Sequence, residues 1–444
     1  MSYFKILTLL LLILSYPSFS KSQSDTLTTM ISTHINNGEF RSIIIGSYNK
    51  YNGEKLYSFG EISRNNQNTP TGENIFEIGS LSKVFTGLIL SSLHLNGTLS
   101  INDKVSSILK SLKKKPAGEI KLIELATHMS GLPRLPSNLK NIDMADQYGK
   151  YSEEMLMNYL NSLKEIKKPS EFSGSNYSNV GFGLLGYILQ KKTNLSYNEL
   201  VKKYITSPLG MNNTFANVPK NKMHLLVPGH NELLEVTSPW SFQSSMDGAG
   251  VLKSTASDLM VFLRANMTPE STNIEKALKF SQKPRFINTE KGIGIAWGLK
   301  FKNGKVEGIG HNGGTGGFSS NLQISLKEKK GFLYLVNTSN SPQCMASVLI
   351  TSTECKPKFS RRVRKSILDS YIGTYLNKKT GLKFVLSQHF GQLVYEIPDQ
   401  EMGKTLSISD TEFSIKGIAF IRFSSKLGEF EFEQNGSKLT FELL

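Results

Sequence analysis

Residues 79–97 read Gly79-Ser80-Leu81-Ser82-Lys83-Val84-Phe85-Thr86-Gly87-Leu88-Ile89-Leu90-Ser91-Ser92-Leu93-His94-Leu95-Asn96-Gly97. Leu81, Val84, Phe85, Leu88 and Leu95 recur at helical spacing and Gly97 stops the run, which predicts a helix opening at Ser80. On a helix, residues three apart share a face, so Lys83 falls beside the Ser80 hydroxyl. A nucleophilic serine needs a base within hydrogen-bond reach and donors for an oxyanion. A lysine whose pKa is lowered by burial and nearby positive charge becomes a neutral amine able to take the serine proton. The same spacing occurs at Ser47 with Lys50, Ser107 with Lys110, Ser111 with Lys114 and Ser137 with Lys140, so spacing alone decides nothing. Ser80 differs in following Gly79 at the head of an apolar helix, where free amides and the helix dipole favour negative charge.

Two further segments carry chemistry. Tyr177-Ser178-Asn179 precedes the apolar, Gly-rich Val180 to Leu189, read as a buried helix. A phenol can relay a proton, and a carboxamide can hold both a lysine and a substrate carbonyl. In isolation the tripeptide reads as a turn or cap. The other segment, His311-Asn312-Gly313-Gly314-Thr315-Gly316-Gly317-Phe318, leads toward a strand. Its glycines would let the backbone approach a ligand, and a strand edge offers amides to a substrate. No GK[ST] follows, which sets aside a phosphate loop.

Elsewhere, Arg41 to Tyr48 and Leu56 to Glu61 read as strands around the turn-rich Asn49 to Gly53. A helical, loop-rich middle extends to about Asn266, and β character returns at Gly294–Phe301, Gly317–Leu326 and Phe332–Val336. Strands at both ends suggest one sheet built from the two termini of a catalytic unit. The tail from Ile367 alternates in short segments, Lys383–Leu386, Leu393–Ile397, Phe420–Phe423 and Glu429–Phe432, and reads as a small β-barrel or sandwich. The organisation read from this is a signal peptide over 1–20, a main domain over 21–355, a basic linker over 356–366 and a small β-domain over 367–444.

The bulk properties narrow the functions. A 444-residue chain that is 39% hydrophobic and 20% charged is an ordinary globular composition. A basic start, an apolar run from Ile6 to Leu14 and small residues at Ser18 and Ser20 make a secretory signal, which places the mature chain in the periplasm or the medium. No later stretch is apolar for long enough to span a membrane. The net charge of +16 is spread along the chain without interleaved aromatics, which reads as a solvated Lys-rich surface rather than a nucleic-acid site. Cys344 and Cys355 fit neither a zinc site nor a CxxC pair. In one straight helix they would sit about 16 Å apart, so a disulfide needs a turn between them, and bonded and free states both stay open. None of the seven histidines forms an HExxH pair and no GxSxG elbow is present, so neither a metal nor an α/β-hydrolase is expected.

The order SxxK, YxN, then a His-x-Gly strand resembles the class C β-lactamase group, which includes D,D-carboxypeptidases, D-aminopeptidases and esterases. The resemblance spans most of residues 30 to 355. It extends to Leu125-Ala126-Thr127-His128-Met129-Ser130-Gly131-Leu132-Pro133, to Pro208-Leu209-Gly210-Met211, and to the stretch from Gly248 to Leu259. The tail is similar to the small β-barrel appended to some members. The resemblance implies an α+β, β-lactamase/transpeptidase-like fold, with an antiparallel sheet flanked by helices and a helical subdomain. It implies Ser80 as nucleophile, Lys83 as proton acceptor and Tyr177 as acid/base. Asn179, His311, Gly313 and Gly314 would bind substrate, the Ser80 and Gly314 amides would form the oxyanion hole, and no cofactor would be needed. The expected partner is a small β-lactam, a D-amino-acid peptide or an ester. A non-catalytic envelope binding protein is the alternative outside enzymology, and the sequence sets no oligomeric state. One departure stands out: the third motif of the lactamases proper is Lys-Thr-Gly, whereas this chain has His311-Asn312-Gly313. Histidine is mostly neutral above ~6.5, so carboxylate recognition through it should weaken as pH rises.

Overall fold

A computed structural model describes residues 21–36, 38–139, 146, 148–171, 176–267, 271–288, 291–340, 363–389, 392–398, 401–415, 419–424 and 428–444. The signal segment 1–20, both cysteines and linker residues 356–362 lie outside the described residues.

Before the tail the strands are β1 (Ser42–Asn49), β2 (Gly53–Gly60), β3 (Ile75–Glu77), β4 (Gly229–His230), β5 (Val236–Thr237), β6 (Lys253–Thr255), β7 (Phe286–Asn288), β8 (Lys291–Ile293), β9 (Gly298–Lys302), β10 (Lys305–Gly314), β11 (Ser319–Ser325) and β12 (Lys330–Val336). Eight of them form one antiparallel sheet in the order β2-β1-β12-β11-β10-β9-β8-β7. The two ends of the unit meet in it, with Ile43 opposite Val336 and Asn49 opposite Lys330. Short strands β3 and β6 pair beside the nucleophile turn.

The run Ile43-Ile44-Ile45 shows why this sheet needs cover on both faces. Successive strand side chains point to opposite faces, yet all three are at most 1% exposed. Ile43 and Ile45 pack with Leu27 and Ile31 of helix α1 (Lys21–Asn36) and with Phe332, Tyr334 and Val336. Ile44 faces the main core. Each such burial stabilises the fold by ~1.5–3 kcal/mol.

Helix α2 (Ser82–Leu95) is buried on nearly every side, as expected of a helix that is apolar all round. Phe85 stacks on Phe262 at 4.7 Å. Gly97, at φ +77°, ends the helix in the left-handed conformation with its N–H on His94 O. Leu95, although in register with the apolar set, sits in the last turn and is 48% exposed. Helix α3 (Asn179–Thr193) is likewise buried through Leu189, and Ser178 caps it by accepting from Gly181 N. The Pro208–Met211 elbow is tied to helix α4 (Ala256–Ala265), because Asp258 accepts from Asn212 N, Asn213 N and Thr214 Oγ1.

The tail forms a nine-stranded antiparallel sheet between Gly373 and Leu443. It curls around its own aromatic core of Phe384, Phe413, Phe430 and Phe441. The strands expected there are present, and shorter ones at Gly373–Leu376, Glu401–Lys404 and Glu412–Ile415 join them. Lys404 Nζ donates to Gly38 O at 3.1 Å, linking this sheet to the first unit.

Candidate active site

The Ser80 turn exists because backbone passes close to backbone. Gly79 has φ +49°, and a Cβ there would lie 2.7 Å from Gly314 N and O. A Cβ on Gly313 would lie 2.0 Å from Ile78 O. The chain thus threads the nucleophile turn flat against β10, and Ser320 Oγ pins it by donating to Ile78 O at 2.8 Å. His311 to Gly314 belong to β10 itself, and the turn into β11 is Thr315–Phe318, closed by Thr315 N on Phe318 O. The glycine at 313 therefore serves the nucleophile turn rather than opening room for a ligand. Gly314 is different, since its Cβ would meet nothing nearer than Phe318 O at 3.8 Å. Gly313→Ala should displace the turn, lower the thermal midpoint and cut turnover by ~10²-fold, whereas Gly314→Ala should fold like the wild type. Parallel melting curves and kcat/KM values on both variants check this contrast.

Ser80 and Lys83 are adjacent as expected. Lys83 Nζ lies 3.0 Å from Ser80 Oγ and donates to Ala249 O at 2.6 Å. Lys83 is fully buried. Burial, with the charge of Arg134 second, holds its pKa well below the ordinary lysine range. By contrast, Lys50, Lys110 and Lys114 of the competing pairs are all exposed, and Lys140 lies outside the described residues. Burial of the lysine, not its spacing, singles out Ser80.

Tyr177 shares a hydrogen bond with Ser80 and has Lys83 Nζ 4.9 Å from its ring centroid. Burial pushes its phenol up to about 12, against smaller lowering from Ser80 and Arg134. The base candidate and the acid candidate that both contact Ser80 are thus driven in opposite directions, the arrangement that separates acid from base. His128 places the tyrosine: its ring packs on Tyr177 at 4.4 Å, and its Nδ1 accepts from Ser178 N at 3.0 Å. Burial first, then Lys83, His311 and Arg134, holds His128 well below the usual histidine range.

Asn179 reaches the site, but its Nδ2 donates to Tyr148 Oη at 2.8 Å and not to the lysine. Its Oδ1 is buried without a partner among the described residues. Tyr148 in turn packs against Trp240 and Phe242, forming an aromatic wall. His311 lies 6.5 Å from the Tyr177 ring, and its Nδ1 is 2.6 Å from Asn312 O. Burial, then Lys83, lowers its pKa to about 4, the bond to Asn312 opposing only in part. The shift favours the neutral form of His311, in line with the weak carboxylate recognition expected of a histidine at this position. Three groups were not picked out by sequence reasoning, namely Ala249 O, Tyr148 and Arg134. The first lies inside the Gly248–Leu259 match and the last directly follows the matched Pro133, so position in those segments was the available signal.

The family described as beta-lactamase matches residues 51–350. The chain belongs to the beta-lactamase family. A beta-lactamase of Providencia stuartii is 30% identical over 225 residues, covering 49% of this chain and 53% of that protein. A beta-lactamase of Psychrobacter immobilis is 30% identical over 249 residues, covering 54% and 58%. The chain spans a little over half the length of these two relatives. Penicillin-binding protein 4* of Bacillus subtilis (strain 168) is 27% identical over 412 residues, covering 85% of this chain and 88% of that one. The beta-lactamase fold is shared with a beta-lactamase/D-alanine carboxypeptidase of Pseudomonas syringae, at TM-score 0.66 and 20% identity over 75% of this chain and all of that one. The expected α+β fold with its appended β-barrel-like sheet stands. Within this beta-lactamase-family chain, no described helix is long and apolar enough to cross a membrane.

Proposed function

We propose that this chain is an exported serine acyl hydrolase that cleaves a β-lactam or a D-amino-acid peptide amide through an acyl-enzyme on Ser80. The observation that carries the reading is the fully buried Lys83 amine 3.0 Å from Ser80 Oγ, with Tyr177 sharing a hydrogen bond with the same serine. As a neutral amine, Lys83 keeps an N–H on Ala249 O and turns its lone pair to the serine hydroxyl. Ser80 Oγ attacks the carbonyl as Lys83 takes its proton. The Ser80 and Gly314 amides receive the oxyanion. The leaving nitrogen departs with a proton relayed by the Tyr177 phenol, which its raised pKa keeps protonated at neutral pH. Water then releases the acid from Ser80. Residues 1–20 act as the export signal, and residues 21–355, 356–366 and 367–444 serve as hydrolase, linker and accessory β-unit.

A serine esterase of the same fold is the second reading, favoured by a third motif whose His311 carries no charge at neutral pH. A chromogenic cephalosporin, a D-Ala-D-Ala peptide and a nitrophenyl ester, each assayed from about pH 5.5 to about 8.5, separate the two. Turnover of the amide substrates, with no inflection from His311 across that range, is expected. Turnover of the ester alone would favour the esterase, and silence on all three would remove the hydrolase reading.

A further inference from the structure

The lactamase-type third motif supplies a lysine for a substrate carboxylate, and neither His311 nor the buried Lys83 is built for that task here. A third cation faces the same site. Arg134 is exposed, and its guanidinium carbon lies 5.1 Å from the centroid of the Tyr177 ring. Among the described residues its guanidinium has no carboxylate or hydrogen-bond acceptor. Arginines exposed at a surface ordinarily point into water; this one is laid over the ring of the proposed proton donor.

Its backbone is fixed with the same care. Arg134 O accepts from Asn179 N at 3.0 Å and from Val180 N at 3.4 Å, and the preceding Pro133 O accepts from Ser178 Oγ at 2.7 Å. The Pro133–Arg134 elbow is therefore tied to the first turn of α3, the segment that also delivers Tyr177 and Asn179. Its charge reaches the interior too, since it contributes to the shifts of Lys83, Tyr177, His128 and Tyr148. A planar fork of donors on a pinned elbow suits bidentate capture of a carboxylate.

We propose that Arg134 is the substrate-binding cation of this site and receives the carboxylate of an anionic acyl donor, replacing the lysine that the third motif lacks. The proposal rests on the acyl-hydrolase reading and narrows it to substrates that carry a carboxylate near the scissile bond.

The probes are two aryl esters that differ in one group, a carboxylate on the leaving phenol, assayed with the full mature chain, Arg134→Gln, Arg134→Lys and His311→Gln. The wild type should prefer the anionic ester. Arg134→Gln should lose about 30-fold more in kcat/KM on it than on the neutral ester, with the difference chiefly in KM. Arg134→Lys should recover part of the loss, and rising salt should raise the wild-type KM for the anionic ester alone. Equal losses on both esters would mean that Arg134 only tunes Tyr177, and would overturn the proposal. A preference that survives Arg134→Gln but falls in His311→Gln would overturn it as well. If the wild type hydrolyses neither ester, the acyl-hydrolase reading itself fails; if it hydrolyses both without preference, that reading stands and the role of Arg134 falls.

Discussion

Ser80→Ala should abolish covalent labelling by a fluorescent penicillin and lower turnover by at least ~10³-fold, while the protein melts within a few degrees of the wild type. The hydroxyl is only half-buried, and the turn that presents it is held by Gly79, Gly313 and Ser320. Removing one oxygen therefore deletes the nucleophile without disturbing its support. Intact-mass spectrometry after incubation with the penicillin gives the readout, with one adduct expected on the wild type and none on the variant. An adduct that persists on Ser80→Ala would place the nucleophile elsewhere, and peptide mapping of that adduct would locate it.

Lys83→Met should be nearly as damaging to chemistry and should still leave the protein folded. Loss of a positioned general base costs ~10²–10⁴-fold, and methionine keeps much of the volume of the buried side chain. The variant leaves Ala249 O without its donor, a cost of about 1–3 kcal/mol, offset because no amine has to be kept desolvated. Lys83→Arg, which cannot lose its proton, should be both inactive and less stable. The pH dependence follows from the direction of the shift. The base works only when neutral, and its pKa lies well below the ordinary lysine range. Wild-type kcat/KM should therefore fall as pH drops through that lowered value, and Lys83→Met should lack this acid limb. A wild-type profile without any such limb would argue that Lys83 does not take the proton.

Much of this site was legible in the sequence, and the reasons are local. Ser80 and Lys83 share a helix, Tyr177 and Asn179 flank one capped turn, and His311 to Gly314 lie on one strand; each relation is encoded within a few residues. What could not be read was set by packing between distant segments. Nothing in the order of residues tells that Lys83 ends on Ala249 O, that Asn179 spends its amide on Tyr148, or that Arg134 lies over Tyr177. The surroundings of His311 were hidden for the same cause, since the lowering of its pKa comes from burial and from Lys83, far away in sequence. For the fold, the Ile-rich β1 and the three returning strands were visible as patterns. The short β7 and β8 were not, because three residues each are too few to show an alternation, and in the first half of β10 Lys and Gly interrupt it.

The pairing of β1 with β12 also sets a timetable. Ile43 and Val336 are about 290 residues apart in the chain, and the centre of the sheet closes only when both are present. Contacts of such long range make folding slow, because the loop must be closed before the contact repays it. Until β12 arrives, the Ile43–Ile45 run has lost half of its neighbours and presents a sticky edge. A chain threaded unfolded across a membrane, amino terminus first, would hold that edge open until nearly the whole first unit has emerged. Its maturation yield should then depend on chaperones waiting on the far side.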